Sequence, residues 1–259
     1  MNIVHPKKHF GQHFLKDEQL AARICESLTL HKNYSHVLEI GPGTGVLSKY
    51  LFESKNFHTT LIEIDRDAYH FLTEKFPGQS QNIIYGDFLN FDINTRFNEP
   101  FAIIGNFPYN ISTQILFRIL EHRDKIPEMV GMFQKEVAQR IASPPGSKQY
   151  GILSVLLQAF YNIEYLFTVS EHVFYPPPKI KSAVIRLLRN EVKSLDCDEK
   201  LFVEIVKKAF NQRRKTLRNA LKSFKNEELI FTDPIFNKRA EQLGVEEFVR
   251  LTQILDKAL

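Results

Sequence analysis

The 259-residue chain has no tryptophan and only two cysteines, Cys25 and Cys197. Neither cysteine has metal-ligand or redox spacing, which excludes a disulfide framework and a cysteine-built metal site. No apolar run approaches the roughly 18 residues of a membrane span. The basic N-terminus is not followed by the apolar stretch of a signal peptide. These absences give the expectation of a reduced, cytoplasmic protein without membrane association. No Ser-His-Asp arrangement and no metal-ligating cluster is visible, so no metal is expected. Because tryptophan is absent while phenylalanine numbers 22, any aromatic stacking falls to Phe and Tyr.

Hydrophobic content of 43% and charged content of 25% are those of an ordinary globular chain, long enough for one large domain or a large and a small one. The net charge is only +4 but unevenly placed. Between Lys207 and Lys225 there are eight Lys or Arg and no acid, and residues 1–16 hold Lys7, Lys8, Lys16 and three His, again with no acid. Clustered positive charge can neutralise phosphates, whereas interspersed charge mainly solubilises.

Short apolar runs alternate with helical patterns, which predicts a doubly wound α/β sheet. Strands are expected over His36–Ile40, Thr59–Ile64, Asn82–Tyr85, Phe101–Gly105, Glu128–Phe133, Ile163–Val169 and Ser182–Leu188. Helices are expected over Asp17–Ser27, Thr44–Glu53, Ala68–Lys75, Ser112–Glu121, Lys135–Ala142 and Ile152–Phe160. The last two strands have no helix between them and should pair like a hairpin, with an antiparallel strand at the sheet's end. Strand signals stop after about Arg189. The boundary is therefore drawn at residues 190 and 191, with an all-helical domain over 191–259. Ser143–Ser147 reads as a mobile loop between helices.

Glu39-Ile40-Gly41-Pro42-Gly43-Thr44-Gly45 follows a strand and opens a helix. Glycines there let a backbone approach a ligand closely. The leading acid suits a cationic amino-acid group better than a pyrophosphate. The ammonium of S-adenosylmethionine is such a group. The second strand ends with Glu63 and Asp65, about twenty residues on. Glu63 is placed to accept from ribose hydroxyls, and Asp65 reads as a helix N-cap. Asp87, at the third strand's end, is either an acceptor for an adenine amine or a turn residue. Ligands of open α/β sheets bind at such strand ends.

After the strand Phe101–Gly105, which Gly105 is expected to break, comes Asn106-Phe107-Pro108-Tyr109. Read alone it is a turn. Read chemically it offers an amide oxygen, a backbone carbonyl and an aromatic face, which suit the exocyclic amine of a nucleobase. Further on, Phe174-Tyr175-Pro176-Pro177-Pro178-Lys179 is a stiff, extended path. Phe174 either stacks on the target base opposite Tyr109 or caps the core.

Phe10 to Leu15, Glu39 to Gly45, Asn106 to Thr113, Gln134 to Val137, Tyr150 to Val155, Phe174 to Val184 and Ala209 to Asn219 together cover nearly the whole chain. In this order they resemble the KsgA/RsmA family of ribosomal RNA adenine dimethyltransferases. His13 departs from the Asn often found there, and Phe107 from the usual Leu. The resemblance implies a Rossmann-like class I methyltransferase sheet of seven strands, the last antiparallel, with a small helical domain. It implies S-adenosylmethionine as donor. The implied acceptor is N6 of two adjacent adenines in the 3′-terminal hairpin of 16S rRNA, in the small ribosomal subunit, with a role in late subunit assembly. Donor contacts then fall on Gln12, His13, Leu15, Gly41, Gly43, Glu63, Asp87 and Asn106, and the catalytic set is Asn106, Pro108, Tyr109 and Phe174. Lys7, Lys8, Lys179, Arg213, Arg214, Lys215 and Arg218 are the expected RNA contacts. Phe210, Leu217, Leu221 and Phe224 would be the buried stripe of one basic helix. A single chain is expected to act alone. The Erm type, which dimethylates large-subunit rRNA, is the enzymatic alternative. A noncatalytic assembly factor is the alternative from another class.

Overall fold

The computed structural model describes residues 4–224 and 232–257, and the Lys8 side chain and Lys225 lie outside what is described. The chain divides into two compact units, residues 1–138 with 162–189, and residues 139–161 with 190–259.

The first unit is built on a sheet whose strands are β2 (His36–Ile40), β3 (His58–Glu63), β4 (Ile83–Tyr85), β5 (Phe101–Asn106), β6 (Glu128–Gln134), β7 (Tyr161–Val169) and β9 (Ser182–Arg189). Their order is β4-β3-β2-β5-β6-β9-β7. Strands β2 to β6 pair in parallel, and β9 runs antiparallel to β6. The expected strands and helices all form, with ends shifted by a residue or two. Central strands such as Phe101–Asn106 are buried almost throughout, because helices cover both faces of a parallel sheet. A two-residue ribbon that the sequence did not reveal joins β1 (Phe14–Leu15) to β8 (Phe174–Tyr175).

Gly105 does not break its strand. It lies inside β5 opposite Gly131 of β6. A Cβ at Gly105 would come 2.7 Å from the Phe107 ring, and one at Gly131 would come 2.3 Å from it. The two glycines make the space that buries Phe107, which is 1% exposed and meets Phe133 edge-on at 5.2 Å. Burying that ring fixes the backbone between Asn106 and Pro108.

Helices α1 (Glu18–Glu26), α2 (Val46–Glu53), α3 (Arg66–Lys75), α4 (Ile93–Arg96) and α5 (Ser112–Glu121) connect the strands. Asp17, Asp65 and Asp92 accept backbone N–H groups at the starts of α1, α3 and α4, as N-caps do. Helix α6 (Lys135–Ala142) follows β6. At the start of β6, the buried Glu128 carboxylate accepts from Thr29 N, Thr29 Oγ1, His31 N and Tyr34 Oη. This holds a connection in which Leu30, Lys32 and Asn33 all have φ near +60°. Each such residue costs about 1–2 kcal/mol, which those bonds offset.

The second unit recruits residues 139–161, which the sequence boundary assigned to the first. Helices α7 (Ile152–Gln158), α8 (Glu199–Asn211), α9 (Leu217–Ala220) and α10 (Val245–Asp256) build it. The reason is packing. Tyr150 is fully buried and lies 6.1 Å from Phe210, and Gln158 donates to the carbonyls of Ile141 and Ser143. The Ser143–Ser147 connection, expected to be mobile, is tied down. Gly146 N donates to Glu241 O at 2.6 Å, and Arg213 donates to Ser147 O at 3.2 Å.

The basic stretch is not one helix. Helix α8 ends at Asn211 and α9 begins at Leu217. Between them Thr216 bridges Arg239, and Leu217 N donates to Lys238 O at 2.8 Å, a bond a continuous helix would forbid. Leu217, Leu221 and Phe224 are nevertheless buried and Phe210 partly so, because two short helices can share the stripe of a longer one.

Candidate functional site

The sheet order reverses between β2 and β5, and a cleft opens there at the carboxyl ends of the strands, as doubly wound sheets dictate. Gly41, Gly43, Glu63, Asp87, Asn106, Pro108 and Tyr109 line it, together with Gln12 and His13. The sequence placed these residues on five separate segments, and the fold brings them to one cavity.

The glycine loop is left-handed at Gly41 (φ +66°) and Gly43 (φ +57°), a conformation that side chains disfavour. A Cβ at Gly43 would also come within 2.9 Å of the Phe14 ring. Glu63 is 3% exposed and accepts from Gly43 N and Asp65 N, both at 2.9 Å. Burial raises its carboxyl above the usual range. Asp65 caps α3 and also takes the Lys7 ammonium at 2.5 Å and Gln12 Nε2 at 3.1 Å. The choice of Glu63 over Asp65 for the cleft therefore agrees with the geometry. Asp87 is a turn residue that also borders the cleft, and its oxygens accept from Leu89 N and Asn90 Nδ2.

Several expected residues lie outside the cleft or are already engaged by other groups. Lys7, an expected RNA contact, pairs instead with Asp65 and with Asp67 at 2.7 Å, which holds its ammonium above the ordinary range. Gln12 spends both ends of its amide on Lys7 N and Asp65. Leu15 is 4% exposed and belongs to the core. Glu39 does not line the cleft. It lines a smaller adjoining cavity with Leu15, Pro42 and Asn106. There it accepts from Ser48 Oγ at 2.6 Å, and burial pushes its carboxyl up to about 8. Phe174 is 1% exposed and packed in the core, so it does not face Tyr109 across the cleft. Alternation along β8 turns Phe174 inward and Tyr175 outward. Lys179 is exposed beyond the prolines. In the second unit Arg214, Lys215 and Arg218 are exposed, while Arg213 is partly buried, bonded to Ser147 O and 4.0 Å from Glu241.

The tip of β5 carries the chemistry. Asn106 Nδ2 donates to the carbonyl of His13 at 2.8 Å. A carbonyl can only accept, so this bond fixes the amide and leaves Oδ1 as the acceptor. The Pro108 carbonyl accepts from Ile111 N at 3.2 Å and keeps a second lone pair. Tyr109 Oη lies 2.6 Å from Ser182 Oγ, and burial raises its phenol above the usual value. Ser182 is fully buried at the start of β9. It lies within the Phe174–Val184 run, where a serine at a strand end carries no local signal. His13 Nδ1 meets Pro176 O at 2.7 Å, and its ring lies 5.6 Å from that of Tyr109. Among the described residues no group of His, Cys, Asp and Glu could hold a metal ion.

Comparison with known proteins decides what this cleft belongs to. The description "Ribosomal RNA adenine dimethylase" matches residues 4–257. The chain belongs to the ribosomal RNA adenine dimethylase family. It is 58% identical over 255 residues to "Ribosomal RNA small subunit methyltransferase A" of Cytophaga hutchinsonii, covering 98% of this chain and 99% of that protein. It is also 58% identical over 257 residues to the protein of that name in Flavobacterium johnsoniae, covering 99% and 98%. Among solved structures, a dimethyladenosine transferase from Plasmodium falciparum has a TM-score of 0.77 at 23% identity, covering 95% of this chain and 98% of that one. The 23S rRNA methyltransferase ErmE has a TM-score of 0.67 at 27% identity, covering 94% and 99%. The class I methyltransferase fold of the family is thus shared by dimethylases of this family and by the Erm type.

Proposed function

We propose that this cleft transfers methyl groups from S-adenosylmethionine to N6 of two adjacent adenines in the 3′-terminal hairpin of 16S rRNA, giving N6,N6-dimethyladenosines. The observation that carries the reading is the locked amide of Asn106, with Oδ1 left as an acceptor beside the Pro108 carbonyl. The relatives from Cytophaga and Flavobacterium, named for the small subunit, support the small subunit over the large.

The donor set fits S-adenosylmethionine. Glycines without side chains at 41 and 43 leave room for an amino-acid moiety, and a Cβ at 43 would collide with Phe14. Glu63 suits ribose hydroxyls and Asp87 an adenine amine, with Phe88 and Ile64 beside them. Bound there, S-adenosylmethionine supplies an electrophilic methyl on a sulfonium.

The chain's own residues orient the acceptor. Adenine N6 is a weak nucleophile because its lone pair is delocalised into the ring. Asn106 Oδ1 and Pro108 O accept its two hydrogens, which draws the nitrogen toward a tetrahedral form and frees the lone pair. Tyr109, anchored through Ser182, presents its ring to the flipped base. Each methyl gained replaces one N6 hydrogen, which leaves as a proton. After the first methyl one N–H remains for one of the two acceptors. Arg214, Lys215 and Arg218 meet rRNA phosphates, so affinity falls steeply with salt. A single chain acts in the cytoplasm and leaves the subunit late in its assembly.

The test is transfer of labelled methyl to small subunits lacking the modification, with large subunits in parallel and product nucleosides identified. Dimethyladenosine at adjacent positions in the small subunit alone is the expected result. Label on the large subunit instead favours the Erm type. Binding without label favours the noncatalytic assembly factor.

A further inference from the structure

The ribbon of β1 and β8 determines which aromatic side chains of these strands reach the surface. Phe14 lies opposite Tyr175, and Leu15 opposite Phe174. Residues directly opposed in an antiparallel pair project from the same face. One face therefore carries Leu15 and Phe174, which are 4% and 1% exposed and sit in the core. The other carries Phe14, which lines the cleft, and Tyr175, which is 57% exposed. The next residue holds this strand end beside the cleft, since Pro176 O meets His13 Nδ1 and the His13 ring neighbours Tyr109. The Tyr175 hydroxyl makes no hydrogen bond among the described residues. Lys179 and Lys181, both exposed, follow within six residues.

A large aromatic ring left exposed beside the cleft, with cations close behind it, fits unpaired nucleotides. Their bases stack on tyrosine and their phosphates meet lysine. We propose that Tyr175 is a stacking platform for a nucleotide that flanks the target adenine. The inference rests on the proposed rRNA methyl transfer. It adds a substrate contact to that reading rather than a step in the chemistry.

The experiment measures methyl transfer to small subunits lacking the modification, as a function of subunit concentration, for the wild type, Tyr175→Ala, Tyr175→Leu and Tyr175→Phe. Donor affinity and thermal stability are measured alongside. Loss of one stacking contact predicts a KM for the subunit roughly 5- to 150-fold higher in Tyr175→Ala. Donor affinity and melting temperature should stay at wild-type values. Tyr175→Phe should restore wild-type KM, and Tyr175→Leu should not. A wild-type KM in both Ala and Leu variants overturns the inference while leaving the methyl-transfer reading intact. So does a Leu variant that matches Phe, because the contact would then be apolar bulk of the kind a protein partner supplies. So does donor affinity that falls as KM rises, because Tyr175 would then belong to the donor cleft. A wild type that transfers no methyl to the subunit sinks the underlying reading and this inference with it.

Discussion

Asn106–Tyr109 and Phe174–Lys179 are both short, proline-bearing segments with an aromatic residue, and the sequence reads them as two halves of one pocket. Only the first reaches the cleft with its predicted side chains. Asn106, Pro108 and Tyr109 all line the cleft, while Phe174 is buried and its neighbour Tyr175 is exposed. The difference lies in what fixes each segment. Asn106 sits at the tip of a central parallel strand, whose ends point into the ligand crevice whatever the side chains are. Phe174 sits in a two-residue edge ribbon, where a shift of one residue exchanges core for solvent.

Four measurements bear on this difference. The largest effect is expected at the strand tip. Asn106→Ala should lower kcat by roughly 10²- to 10³-fold, the cost of removing one positioned hydrogen-bonding group. Donor affinity should fall far less, and equal losses in the two would make Asn106 chiefly a donor ligand. Next comes Phe174. Truncation to Ala should cost about 3–5 kcal/mol of stability, read by denaturant unfolding, while Phe174→Leu should cost under about 1.5 kcal/mol and keep wild-type subunit KM. A Leu variant with normal stability and weakened subunit use would return Phe174 to the substrate side.

Ser182→Ala should lower kcat/KM by roughly 2- to 10-fold, the worth of one hydrogen bond. The effect should vanish in a Tyr109→Phe background, because both changes remove the same contact. Additive losses would mean that Ser182 acts through something other than Tyr109. The last measurement concerns Glu39 and reads stability rather than activity, since its carboxyl is held near 8 against an ordinary 4.5. The unfolded chain releases this proton near 4.5 and the folded chain only near 8, so between those values the folded state binds more protons. On account of this group, stability falls as pH rises from about 5 to 8. Glu39→Gln removes that slope, so its melting temperature should gain on the wild type toward pH 8. Parallel profiles would mean that Glu39 is ionised in the folded chain.

The sequence by itself determined the sheet, because buried parallel strands read as apolar runs and their helices carry caps that are local in sequence. It also placed Gly41, Gly43, Glu63, Asp87 and Asn106 at strand ends that border one cleft, since topology sends those ends to one crevice. Tertiary structure alone decided the rest. It pinned Lys7 to Asp65 and Asp67, tied Arg213 to Ser147, and drew residues 139–161 into the second unit. It turned Phe174 inward and Tyr175 outward, and it set Ser182 behind Tyr109 and the His13 carbonyl against Asn106. Each of these depends on a partner tens of residues away or on the register of a two-residue ribbon. Periodicity is a local signal, and a contact between distant segments leaves no trace in it.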